Sequence, residues 1–212
     1  DAYYPRWFFR QITPLPEEFA LLFLMPALLA AYFYLTERSR RAFLLFCLAS
    51  IIIFMTHSLV AVALGVGLTT LVALSFVLRV LSWQTLKALI VAGIITALLG
   101  NLQLIYGWFF DDTVQAAVTD YAAWGASSWR ALPYTLEILA SAGLGVIFLA
   151  GGLLLAQSKA TKLLWGFYGL YLLLLAFLGR AGNFGILYLI SPDRLDHYRV
   201  FFLSSALAGA YS

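Results

Sequence analysis

The sequence predicts an all-α fold: a polytopic transmembrane bundle of about seven helices, the last incomplete, with outer-face loops and a short interfacial helix. Three observations carry the prediction. Of 212 residues, 63% are hydrophobic and only 11% charged, where a soluble domain carries about a quarter charged residues, and the mean hydropathy is +0.92. Apolar runs approaching the ~20 residues of a membrane crossing recur along the chain. The charges between those runs differ in kind from one turn to the next.

The runs place helices at roughly 17–35, 42–56, 59–80, 86–107, 134–156, 162–179 and 200–212. Pro14 and Pro16 precede the first, with Thr13 as its cap and Glu17 and Glu18 in its first turn. Pro26 lies inside that helix and is expected to kink it. Only Thr56-His57-Ser58 separates the second helix from the third, and Pro133 opens the fifth. Residues 113–123, "TVQAAVTDYAA", suit a short amphipathic helix in the outer interface. Neither a repeat nor a linker divides the chain, so residues 1–212 read as one membrane domain. The chain starts at Asp1 and stops inside the apolar run 200–212, which leads to the expectation of an excerpt from a longer protein.

Assigning the turns alternately to two sides separates the charges. One side holds Arg38, Arg40, Arg41, Arg79, Lys87, Lys159 and Lys162 against Glu37 alone. The other holds six arginines (Arg6, Arg10, Arg130, Arg180, Arg194, Arg199) against nine acids. By the positive-inside rule, residues 36–41, 79–87 and 157–162 are cytoplasmic and the long loops extracytoplasmic, in a multi-pass protein integral to the cell membrane. The pI near 9.0 therefore reflects topology, and nucleic acid is not an expected partner. A single cysteine, Cys47, excludes a disulfide framework and a Cys-pair metal site. The chain also lacks a Gly-rich phosphate loop, an HExxH and a GxSxG motif.

Candidate functional residues gather on the outer side. His57 has two main readings: a polar residue closing a tight helical hairpin, or a donor to a phosphate or sugar group at the outer interface. A pigment or metal ligand is a third. Arg194, His197 and Arg199 in "SPDRLDHYRVFF" lie where a lipid phosphate would sit, and guanidinium forks match phosphate oxygens. Against that stands an interfacial anchor with Arg194 and Arg199 paired to Asp193 and Asp196. Arg6 and Arg10 face Glu17 and Glu18 across a proline-stiffened turn, as a binding element or as an ordinary interface belt. Asp111 and Asp112 are weak candidates for holding a divalent cation, and adjacent loop aspartates are more often simply solvated. Glu137 falls in the first turn of the fifth helix.

The order of features resembles the later part of the membrane domain in the glycosyltransferase C superfamily. The resemblance rests on "PLPEEFALLFLMPALLAAYFYLTERSRRAFLLFCLASIIIFMTHSLVAVALG", a long outer loop after two more helices, and the closing "SPDRLDHYRVFFLSSALAGAYS". Its landmarks are the acid-led helix at Glu17 and Glu18 containing Pro26, the Thr56-His57 step after a basic turn, and an Arg-bearing outer loop at Arg194. Such enzymes take a sugar from a polyprenyl-phosphate carrier at the outer membrane face, and the nearest likeness is to prokaryotic members of unassigned substrate. The resemblance implies membrane lipid and a lipid-linked sugar donor as partners. It also implies catalytic carboxylates in a first large outer loop, which this sequence does not contain. Asp111 and Asp112 come too late in the chain for that role. In "PYTLEIL", Thr135 and Glu137 stand one residue too close for the Thr-x-x-Glu element of oligosaccharyltransferases. The part left to this chain is stabilisation of the departing phosphate, with His57, Arg194 and Arg199 expected to converge on one anionic head group.

Two other classes compete. A non-catalytic subunit of a larger membrane complex, with other membrane subunits as partners, fits a helical chain with 17% aromatic residues; His57 would then serve a pigment or haem. A transporter ranks third, because the polar residues at depth, Asn101 and Gln103, are uncharged.

Overall fold

The computed structural model describes residues 16–110 and 136–178, and the expected helices at 113–123 and 200–212 lie outside them. All regular structure among the described residues is helical: α1 (Pro16–Glu37), α2 (Arg40–Thr56), α3 (Ser58–Val77), α4 (Trp83–Gly100), α5 (Leu102–Phe110), α6 (Leu136–Leu155) and α7 (Lys159–Leu178). Six of the seven expected spans thus appear as helix. The fourth differs from expectation, because it breaks at Asn101 into α4 and α5. There the Asn101 backbone N–H and its Nδ2 both donate to Ala97 O, at 3.1 and 2.8 Å. An asparagine amide competing for the backbone carbonyl is what ends helices. At Pro26, by contrast, α1 continues as one 22-residue helix.

Segments Phe19–Glu37, Val60–Val77 and Trp83–Gly100 are long and apolar enough to cross a membrane, and Ala142–Leu155 is a shorter apolar stretch. Eighteen residues of helix span ~27 Å, close to the ~30 Å of a hydrocarbon core.

The turns between these helices are built from local chemistry. Three helices start on a serine whose hydroxyl accepts the third backbone N–H: Ser39 from Ala42, Ser82 from Thr85 and Ser158 from Thr161. Such caps satisfy one of the four orphan donors at a helix start. α1 and α3 end on arginines in the left-handed region, Arg38 (φ 54°) and Arg79 (φ 55°). At Arg79 the bonds Arg79 N to Phe76 O and Val80 N to Ser75 O make the paired closure of a Schellman motif. These turns carry the basic residues, and packing gathers them at one end of the bundle. Tyr32, near the end of α1, donates through its hydroxyl to Ala160 O at the start of α7 (3.1 Å). Leu74, near the end of α3, lies over Gly166 in the second turn of α7.

α1 is the centre of one half of the molecule. Ala20, Leu24, Ala27, Leu28 and Ala31 are buried on it, and α2 and α3 pack against it while α4 packs on the outside of α2. α6 and α7 form a separate hairpin with the most extensive pairing among the described helices. A side chain added at Gly169 would run into the α6 backbone at Gly145 and Leu149, and one at Gly152 into Trp165. Small residues of this kind let helix backbones touch where the surroundings are as apolar as the side chains. The hairpin joins the rest where α7 meets α3: the buried Tyr171 hydroxyl donates to Ala63 O (2.8 Å), and Gly67 leaves room for Leu28 and the Tyr171 ring.

Two outcomes test this packing in thermal unfolding of the detergent-solubilised protein. Gly169→Ala should cost about 1–3 kcal/mol by overpacking, while Gly143→Ala, where an added Cβ meets nothing within 4 Å, should be nearly neutral. Tyr171→Phe should cost about 1–2 kcal/mol through the lost buried hydrogen bond.

Candidate functional site

Since α1 runs toward the basic turns and α2 returns from them, His57 stands at the opposite end of the bundle, the end at which α1 starts. It is the single residue between α2 and α3. Its extended backbone (φ −156°, ψ 115°) serves both helices: its N–H donates to Ile53 O (2.9 Å) and its carbonyl accepts from Ala61 N (3.1 Å). The helix-ending and helix-starting bonds are therefore made by the main chain of His57 and not by its ring, which makes no cap to α3. The side chain is half-buried. Thr56 beside it is tied back to its own helix at Ile52 O.

Glu17 and Glu18 fall where expected, in the first turn of α1, which begins at Pro16. They share the His57 end of the bundle. Glu137 opens α6, whose start lies at that end too, because α6 runs toward the 156–158 turn. Arg10, Asp111, Asp112, Arg194, His197 and Arg199 lie outside the described residues. The chain enters or leaves the described bundle at 16, 136 and 178 on the His57 side, and α4 also arrives there. Among the described residues no group of three or more His, Cys, Asp and Glu side chains is placed to hold a metal ion.

The opposite end is a different surface. Arg38, Arg40, Arg41, Arg79, Lys87 and Lys159 are exposed there, Lys162 is half-buried, and Glu37 is the one acid. Lys87 lies 5.3 Å over the ring of Trp83, a cation–π contact of ~0.5–1 kcal/mol at an exposed site. A basic rim of this kind suits anionic lipid head groups.

Sequence reasoning missed one feature between the two ends, a cleft at mid-height. α3 and α4 follow one another in the chain yet hardly touch, and both lie on α2. The wedge between them is floored by Phe46, Ser50 and Phe54 and walled by residues including Gly65, Thr69, Gly93 and Thr96. The available signal was the scatter of glycine and hydroxyl residues inside otherwise aliphatic runs. It was read only as helix.

No protein-family model matches the chain, and no curated protein or solved structure matches it either.

The two roles of His57 separate under substitution. His57→Pro removes the N–H given to Ile53 and forces φ toward −65°, so it should destabilise the fold by ~3 kcal/mol or more. His57→Ala keeps both main-chain bonds and should leave the unfolding midpoint much closer to that of the unaltered protein.

Proposed function

We propose that the chain is a multi-pass protein of the cell membrane, its basic turns cytoplasmic, and part of a glycosyltransferase that uses a polyprenyl-phosphate-linked sugar at the extracytoplasmic face. The observation that carries the reading is the division of the bundle. Its basic turns lie together at one end, while His57, the Glu17-Glu18 turn and the joins to the acid- and arginine-bearing loops belong to the other. Such a division is what the positive-inside rule produces in a protein whose work is done on the outer face. In this scheme His57, Arg194 and Arg199, with His197 and Arg10 nearby, receive the phosphate of the donor. Donated hydrogen bonds and fixed positive charge then stabilise the phosphate as it departs. Glu17 and Glu18 orient the arginines. Asp111 and Asp112 are weak candidates for a divalent cation in this scheme, and it assigns no residue of this chain as the base that activates the acceptor.

A second reading, a non-catalytic subunit of a larger membrane complex, is favoured by one observation. α4 exposes Ile90, Val91, Ile94, Ile95, Leu98 and Leu99 along its length, a broad apolar face that neighbouring helices can cover as well as lipid can.

Binding of a polyprenyl phosphate to the chain in vesicles separates the two. The transferase reading expects saturable binding that His57→Ala and Arg194→Ala each weaken roughly tenfold, about 1.4 kcal/mol per lost charge-assisted contact. Equal binding by all three proteins sinks the phosphate-site assignment, and stable co-purification with a fixed partner subunit would favour the second reading.

A further inference from the structure

Cations and exposed apolar residues share one face on each of two neighbouring helices. On α2, Arg40 and Arg41 are exposed at the start, and Leu44, Leu45, Leu48 and Met55 beyond them are each more than half exposed. The steps from 41 to 44, 44 to 48 and 48 to 55 keep these side chains on one face of a helix. On α4 the same order recurs, with the exposed Lys87 followed by Val91, Ile94, Ile95 and Leu98, all exposed.

The two helices lie side by side and both start at the basic end. A Cβ added at Gly100, the last residue of α4, would meet Phe54 Cβ and Ile51 O near the end of α2. Nearer their starts, Leu86 and Leu89 line the same wedge as Phe46. The two cationic starts are therefore neighbours in the fold, although a whole helix separates them in the chain. Trp83, itself exposed, has the Lys87 Nζ 5.3 Å over its ring, and tryptophan favours the height at which lipid head groups lie.

These charges are not balanced from within. Neither α2 nor α4 has an acid in its first turn, and Glu37 is the one acid in the described basic turns. Arg40 and Arg41 are also the first two residues of α2, where the partial positive charge of a helix start disfavours cations. An anion beside them relieves both conditions, and guanidinium groups match phosphate oxygens. Beyond the cations, the apolar stripe of α2 reaches Met55 after about 14 residues, or ~21 Å of helix. One leaflet of a bilayer holds ~15 Å of hydrocarbon, half of a ~30 Å core.

We propose that the paired starts of α2 and α4 form a site for one anionic phospholipid of the leaflet at that end. Its phosphate lies among Arg40, Arg41 and Lys87, and its acyl chains lie along the apolar stripes of the two helices. A free phosphate or an acidic soluble protein would match the cations and leave the leucines unmatched. A phospholipid carries charge and hydrocarbon in the order in which the helices present their counterparts. The inference rests on the helices crossing a bilayer, but on no part of the glycosyltransferase assignment.

The test uses the full chain in vesicles of equal phosphatidylcholine and phosphatidylglycerol with the same acyl chains. The protein is extracted in mild detergent, and the lipids it retains are counted by native mass spectrometry. Phosphatidylglycerol should be retained over phosphatidylcholine roughly tenfold, a preference of about 1.4 kcal/mol. Arg40→Gln with Arg41→Gln, and separately Lys87→Gln, should bring the ratio most of the way back to that of the vesicles. Arg40→Lys with Arg41→Lys keeps the charge and should keep most of the preference, which separates lost charge from a disturbed helix start. Lys159→Gln with Lys162→Gln removes as much charge from α7 as the first pair removes from α2, and should leave the ratio unchanged. An equal loss in that α7 pair would reduce the effect to the net charge of the rim and overturn the site. Equal retention of the two lipids by the unaltered protein overturns it as well. So does displacement of the lipid by excess inorganic phosphate, which would assign the cations to a free anion. Failure of the chain to float with the vesicles would overturn the membrane reading and the site together.

Discussion

The fold hangs on the seam where α7 lies against α3. The α1–α4 half and the α6–α7 hairpin are each closed by their own contacts, and the seam is where one is fixed on the other. Its polar element is the Tyr171 hydroxyl on Ala63 O, wholly buried. Its steric element is Gly67, whose missing side chain lets Leu28 and the Tyr171 ring meet over α3. A hydrogen bond in such surroundings has no water to compete with it, so it is directional and costly to lose. The Tyr32 contact to Ala160 repeats the device nearer the basic end. Two tyrosines on different helices, each reaching a main-chain carbonyl across the seam, fix both the spacing and the rotation of α7.

Glycine acts in opposite senses on the two sides of that seam. In the α6–α7 hairpin it brings backbones together, and the gain is dispersion contact over a long stretch of helix. Between α3 and α4 it keeps the walls apart, and the result is an open wedge. The physical difference lies in what stands opposite: Gly145 and Gly169 face each other's backbone, whereas Gly65 and Gly93 face space. A tightly bound hairpin and a cleft are thus made from the same residue type by different neighbours.

His57 has a main chain and a ring that are set to different surroundings. Its main chain is spent on the corner between α2 and α3, and that corner sets how α2 presents Phe46, Ser50 and Phe54 to the wedge. Its ring, half-buried at the rim, is the part to which the proposed function assigns the anionic group. A substitution that respects the backbone therefore probes the rim, while one that removes the N–H disturbs rim and wedge together.

The residues alone determined the helical class, five of the described helical spans to within a few positions, and the grouping of the described basic turns at one end of the bundle. They could do so because apolar run length and the charge of short turns are local properties. The arrival of the basic turns at one end, joined by Tyr32 and Leu74 to the start of α7, agrees with that charge pattern. The break at Asn101 and the serine caps at 39, 82 and 158 were also written locally, in an amide four residues beyond the carbonyl it shares with its own N–H and in hydroxyls three residues ahead of an N–H, and went unread. Tertiary structure alone decided which helices touch. Runs as uniformly apolar as α3 and α4 carry no stripe to say which face is inward, so nothing in them announces that α4 lies on α2 and leaves α3, or that Ser50 ends up under a cleft. Partner choice among such helices is set by small residues and a few long-range hydrogen bonds, whose meaning depends on what the fold places across from them.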